Sequence, residues 1–197
     1  RSRPFIQAVF PKLQEFFPQQ LCDVTEEQFY RAVNKAPSAD LPANEQLTQV
    51  LTDGGCMDCH SATPELPFYA DWPVAKSLIG KHVKDGYNVF DVQPFMEALQ
   101  NGEAPNEVDL AKVEQILSNE SMPMAQYYLA HWGASITDAK RDRGLAAVKE
   151  IRAKFHPNTL AAAEFANEAV RPVPDSVVYD AGKAKLGKVL YHDTRLS

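Results

Sequence analysis

One short stretch, Cys56 to His60, constrains this chain more than any other. It reads Cys56-Met57-Asp58-Cys59-His60, and a C-x-x-C-H sequence is the attachment site of a c-type haem. Two thiols three positions apart lie on one helical turn, where both can form thioethers with a single porphyrin. The imidazole that follows then lies beneath the ring as the proximal iron ligand. The stretch therefore predicts one covalent haem, held by Cys56, Cys59 and His60.

Two other uses of the same spacing fit the sequence less well. A redox-active C-x-x-C lies between a strand and a helix, and no strand pattern precedes residue 56. A zinc site needs a second pair of ligands, but of the three cysteines in the chain only Cys22 remains. An unpaired cysteine is more often a small buried apolar residue than a reactive thiol, so we expect Cys22 to be buried.

Composition narrows the class of protein further. The chain has 197 residues, of which 45% are hydrophobic, so it can bury a folded core. Its formal net charge of −6 argues against nucleic acid as a partner. No apolar run approaches the roughly 20 residues that a membrane helix needs. Because haem is attached to bacterial c-type proteins outside the cytoplasm, we expect a signal peptide or membrane anchor to precede Arg1.

Apolar residues repeat at three- and four-residue steps, and no two-residue period persists, so the predicted fold class is all-α. Thr25 and Gln28 form the pattern of a capping box. Asn106 is a good N-cap, and the longest helix should start at Thr137-Asp138. Further helices are predicted at residues 43–53, at 74–85 with Leu78 facing inward and Gly86 ending it, at 91–100, and in the alanine-rich stretch 161–169.

A haem with one histidine ligand either stays open to small molecules or takes a second protein ligand and transfers electrons. Met122 is the predicted distal ligand, because it directly follows a predicted helix and precedes Pro123, which would hold its thioether on a short, stiff loop. Met124 is the near competitor. His82, at the apolar edge of its predicted helix, would instead give bis-histidine ligation.

Aromatic residues follow both the C-x-x-C-H motif and the methionine pair in the sequence. Phe68, Tyr69 and Trp72 come after a proline-punctuated loop and form a cluster large enough to cover a porphyrin edge. Tyr127 follows the methionines and is expected to wall the haem pocket. Each of these rings could equally be an ordinary core aromatic.

Several stretches, in this order, resemble the N-terminal haem domain of bacterial tri-haem cytochrome c peroxidases, also called quinol peroxidases. They are the haem motif through Leu66-Pro67, then Gly86-Tyr87, then Glu120-Ser121-Met122-Pro123 and His131-Trp132. The last twelve residues, 186–197, are similar to the opening of the di-haem peroxidase domain of the same family. The resemblance covers about residues 45–197 and leaves residues 1–40 uncovered.

The resemblance implies a cytochrome c-like helical domain with His60 proximal and Met122 distal. Such a domain passes electrons from quinol, or from a small redox donor, to a di-haem peroxidase domain that reduces hydrogen peroxide to water. Similar proteins are periplasmic and tethered to the inner membrane. The two peroxidase haems would lie beyond Ser197, so we expect no catalytic residue here. A five-coordinate ligand-binding or sensor domain, or a stand-alone electron-transfer cytochrome c, are the alternatives.

The predicted organisation of the chain has four parts. Residues 1–40 form an N-terminal helical extension, and residues 41–157 form the c-type haem domain. Residues 158–179 are a helical segment followed by a proline-rich linker. Residues 180–197 are the truncated start of the di-haem peroxidase domain.

Overall fold

The computed structural model describes residues 2–124, 127, 131–165, 173 and 176–196. Every regular element in these ranges is helical and none is a strand, which confirms the all-α prediction. The α-helices whose two ends both fall in the described residues are α1 (Ser2–Phe16), α2 (Pro18–Leu21), α3 (Glu26–Val33), α4 (Ala43–Asp53), α5 (Pro73–Val89), α6 (Gln93–Asn101), α7 (Glu107–Asn119), α8 (Asp138–Phe155) and α9 (Ala181–Tyr191). Within the described ranges, no helix is both long enough and apolar enough to cross a membrane.

The chain divides into two compact units, Arg1–Pro157 and Asn158–Ser197. The second unit contains a 3-10 turn at Ala163–Phe165 and helix α9, whose first turn is capped by the Asp180 carboxylate. Residues 166–169 of the predicted helix 161–169, and most of the proline-rich linker, lie outside the described residues. The four-part division made from the sequence stays a prediction.

The main core of the first unit lies between α4, α6, α7 and α8. Leu47, Leu99 and Leu110 are completely buried there. Gly144 on α8 allows a close helix crossing, because a Cβ at that position would lie 2.9 Å from the Leu117 side chain of α7. These four helices form the frame that carries the loops of the candidate site.

Local capping explains where several helices begin. The Asn106 side chain accepts hydrogen bonds from the backbone N–H groups of Val108 and Asp109, at 2.9 and 3.3 Å, and so starts α7. Thr25 and Gln28 form the reciprocal capping box that the sequence predicts for α3. Helix α4 has the predicted bounds, and α8 starts at Asp138 as expected.

The N-terminal helices have a small core of their own. Phe10 and Leu13 from α1 pack with Phe29 and Val33 from α3, and all four are buried. Cys22 lies in the turn after α2 and is exposed, so the expectation that it is buried was wrong. The turn at the end of a four-residue helix offers too little surrounding surface to cover it.

Helix α5 differs from its prediction. It spans Pro73–Val89 and continues through Gly86, which the sequence pattern had marked as its end. Leu78, expected to face inward, is 50% exposed. A glycine commonly ends a helix by adopting a left-handed conformation, whereas Gly86 lies inside α5 and serves a different purpose, described below.

Candidate haem-binding site

One cavity in the first unit gathers residues from three separate parts of the sequence. Leu51, Val113 and Ile136 contribute to its largely apolar wall. Five of the predicted site residues line this cavity: Cys56, Cys59, His60, Met122 and Tyr127. The alternative distal ligands Met124 and His82 also line it. The structure therefore brings the C-x-x-C-H motif and the methionine segment to the same space.

The motif is folded as a tight turn rather than as part of a long helix. Gly55, with φ +65°, adopts the left-handed conformation that favours glycine and opens the 3-10 turn Cys56–Asp58. The backbone N–H of His60 then donates to the Cys56 carbonyl at 3.0 Å. Both cysteines and the histidine are half-buried at the cavity wall.

His60 is held by the segment that connects α5 to α6. Its ring Nδ1 lies 3.0 Å from the carbonyl oxygen of Phe90. Because a carbonyl only accepts, Nδ1 carries the proton and Nε2 keeps its lone pair for a metal. The backbone N–H of Val92 also donates to the His60 carbonyl, at 2.8 Å. The imidazole is thus oriented as a metal-ligating histidine usually is, through a hydrogen bond on its other nitrogen.

Gly86 lets α5 pack directly on the motif. A Cβ at this position would lie 2.7 Å from the Cys59 carbonyl oxygen, which is closer than any real Cβ contact. One turn earlier on the same helix, His82 lines the cavity, and Asp85 and Val89 do so as well. The face of α5 that carries Gly86 therefore forms one wall of the site.

The thiols are neutral in the chain without a bound group. Burial, together with the charge of the neighbouring Asp58 carboxylate, raises the pKa of Cys56 to about 12. Burial and Asp58 also raise the pKa of Cys59. Redox-active C-x-x-C motifs depend on a lowered thiol pKa, and the two cysteines form no disulfide. The raised pKa values of the two thiols therefore argue against a dithiol redox site. They agree with thiols that form thioethers.

Tyr127 connects the two halves of the site. Its hydroxyl donates a short hydrogen bond to the Asp58 carboxylate inside the motif. Its ring stacks on the imidazole of His131, with centroids 4.0 Å apart and planes 10° from parallel. His131 is half-buried in this cluster.

The other predicted aromatic residues are Phe68, Tyr69 and Trp72. The Tyr69 hydroxyl lies 3.1 Å from Nε2 of His131. Trp72 is 60% exposed, and neither Tyr69 nor Trp72 lines the cavity. The side chain of Phe68 lies outside the described part of the structure. Contact of these three rings with a porphyrin stays a prediction.

Sequence reasoning missed three contributors to this site. The Phe90 carbonyl is a main-chain group, and no side-chain pattern marks it. Gly86 was interpreted as a helix end, although its place inside an otherwise helical pattern could have indicated close packing. Asp58 occupies a variable position of the motif, and its hydrogen-bond partner is 69 residues away.

The donor set fits a haem. Two neutral thiols, one imidazole with its Nε2 lone pair available, and the thioethers of Met122 and Met124 share a mostly apolar wall. These are the groups that hold a haem covalently and provide its two axial ligands in electron-transfer proteins. The apolar residues suit the flat hydrocarbon face of a porphyrin.

Comparisons with known proteins point the same way. The family model described as "Haem-binding domain" matches residues 16–150. The chain is 34% identical over 174 residues to cytochrome c peroxidase Ccp of Escherichia coli (strain K12). The alignment covers 86% of this chain but 37% of that protein, so the chain spans little more than a third of its relative. No solved structure gives a significant match.

Proposed function

The chain belongs to the haem-binding domain family, and from this premise we propose that it is a c-type haem domain that transfers electrons. One observation supports this proposal most directly. The C-x-x-C-H motif and Met122, which are distant in sequence, line the same cavity. A cavity lined by two candidate axial ligands suits electron transfer better than binding of a small molecule.

In this proposal each group has one role. The Cys56 and Cys59 sulfurs would form the thioethers, His60 would ligate through Nε2, and Met122 would provide the distal thioether. When bound, the haem supplies a one-electron iron couple, whose reduction potential a methionine ligand raises. Met124 and His82 line the same cavity and are the alternative distal ligands.

The protein's own groups favour repeated electron transfer without rearrangement. The Nδ1–H group of His60 donates to the Phe90 carbonyl, so the proximal imidazole keeps one orientation in both oxidation states. Leu51, Val113 and Ile136 contribute apolar surface to the cavity wall. An apolar, preorganised wall has few polar groups to reorient when the charge of the site changes.

The wider role is also part of the proposal. Similarity to a protein named cytochrome c peroxidase, over 86% of the chain, supports an electron-entry role beside a peroxidase. The donor would be quinol or a small redox protein, and the acceptor would be a di-haem peroxidase domain that follows residue 197. We place the protein in the periplasm, tethered to the inner membrane by a segment that precedes Arg1.

The test is a carbon monoxide titration of the reduced holoprotein, together with intact mass spectrometry after denaturation. We expect the denatured chain to keep one haem, and the native ferrous protein to resist carbon monoxide because both axial positions are filled. Loss of the haem on denaturation would exclude covalent attachment. Immediate carbon monoxide binding would instead favour the five-coordinate sensor.

A further inference from the structure

Tyr127 links the two segments that carry the candidate axial ligands. Its backbone N–H donates to the Met124 carbonyl at 2.9 Å. Its hydroxyl donates to the Asp58 carboxylate, two residues before His60. One residue thus joins the methionine segment, through its backbone, to the haem motif, through its side chain.

The backbone next to the motif is shaped to receive this hydroxyl. A Cβ on Gly55 would lie 2.3 Å from the Tyr127 oxygen and 3.1 Å from the Asp58 carboxylate. Gly55 has no side chain and also adopts a left-handed φ of +65°. The hydrogen bond between Tyr127 and Asp58 occupies the space that any other residue at position 55 would fill.

The ring of Tyr127 is fixed from its other side. It stacks on His131 at a centroid distance of 4.0 Å, and the His131 backbone N–H donates to the Tyr127 carbonyl at 2.9 Å. The Tyr69 hydroxyl in turn lies 3.1 Å from His131 Nε2. Contacts on its face and at its hydroxyl restrict the Tyr127 ring to few rotamers. The ring can therefore keep the segments that it contacts at a fixed separation.

We infer that Tyr127 is a positioning residue that holds the Met122–Met124 segment against the haem face by its hydrogen bond to Asp58. The inference rests on the proposed function, since it concerns how the distal ligand is kept in place. Burial, the hydrogen bond to Asp58 and the charge of that carboxylate raise the pKa of Tyr127 well above its ordinary value. The hydroxyl therefore stays a donor at neutral pH.

The magnitude follows from the type of hydrogen bond. A hydrogen bond to a charged group contributes more to stability than one between neutral groups, and its loss would raise the population of molecules with an open methionine segment by roughly tenfold or more. Carbon monoxide binds the ferrous protein only in that open state. Its binding rate should therefore rise by the same factor.

The experiment compares carbon monoxide binding rates of ferrous holoproteins at neutral pH: wild type, Tyr127→Phe, Asp58→Asn and a control, Tyr87→Phe. Tyr87 is 40% exposed on α5 and does not line the cavity. We expect about a tenfold increase for Tyr127→Phe, a smaller increase for Asp58→Asn, which keeps an acceptor oxygen, and none for Tyr87→Phe.

Two results would overturn the inference. One is a Tyr127→Phe rate within about twofold of wild type, even if the variant unfolds more easily, because the residue would then only be structural. The other is a larger effect of Asp58→Asn than of Tyr127→Phe. A wild-type protein that binds carbon monoxide at once would instead contradict the proposed function, so the two failures are distinguishable.

Discussion

Replacing Gly86 by alanine tests whether α5 really packs against the haem motif. In a helix interior, alanine is more favourable than glycine by about 1 kcal/mol. At Gly86 the new Cβ would lie 2.7 Å from the Cys59 carbonyl oxygen, where ordinary van der Waals contact begins near 3.4 Å. The obstacle is backbone rather than a flexible side chain. Overpacking of this kind costs about 1–3 kcal/mol, and the rigid partner favours the upper half of that range.

Gly80 on the same helix provides the matched control. A Cβ there would meet nothing within 4 Å, so Gly80→Ala should only gain helix propensity and stabilise the protein by about 0.5–1 kcal/mol. The propensity gain is the same at both positions and cancels in the comparison. The free energy of unfolding of Gly86→Ala should therefore lie about 1–3 kcal/mol below that of Gly80→Ala.

The assay is urea unfolding of the two holoproteins, followed by far-ultraviolet circular dichroism and extrapolated linearly to water. Equal stability of the two variants, within about 0.5 kcal/mol, would refute the close contact between Gly86 and Cys59. It would also remove the reason given for the helix continuing through this glycine.

A second pair of substitutions addresses the ion pair between α4 and α8, in which Lys140 Nζ lies 2.8 Å from Asp53 Oδ2. The Lys140 side chain is 5% exposed, so Asp53→Ala strands a buried ammonium and should cost roughly 1–3 kcal/mol in thermal or urea unfolding. Lys140→Met removes the buried charge and keeps the volume, so it should change stability by less than about 1 kcal/mol. A greater loss from Lys140→Met than from Asp53→Ala would contradict this ranking.

Local signals explain what could be predicted of the fold. Helix α4 has the predicted bounds because Leu47, Val50 and Leu51 repeat on one face and are all buried. Asn106 starts α7 through its own side chain, within three residues of sequence. Both features depend on neighbours along the chain, so the sequence records them directly.

Features that depend on distant partners were harder to predict. Gly86 was interpreted as a helix end, yet its role is set by Cys59, 27 positions earlier along the chain. Leu78 fits an apolar pattern but is 50% exposed, because periodicity cannot say which face of a helix has a neighbour. Cys22 was expected to be buried from general tendencies of cysteine, and its exposed turn does not cover it.

In the candidate site, too, the features formed by neighbouring residues could be predicted, and those formed by distant residues could not. The C-x-x-C-H motif is contiguous, so its chemistry could be predicted from five residues. The hydrogen bond from His60 to the Phe90 carbonyl spans 30 residues and ends on a main-chain atom, so no residue type indicates it. The bond between Asp58 and Tyr127 spans 69 residues and likewise became visible only in three dimensions.

The most direct test of the account is the identity of the distal ligand, measured by the optical spectrum of the ferric holoprotein. We predict that the wild type shows the weak long-wavelength sulfur-to-iron band, that Met122→Ala loses it, and that Met124→Ala and His82→Ala keep it. A band that survives in Met122→Ala, or disappears in Met124→Ala alone, would contradict the assignment of Met122. A wild-type protein without the band would contradict methionine ligation altogether.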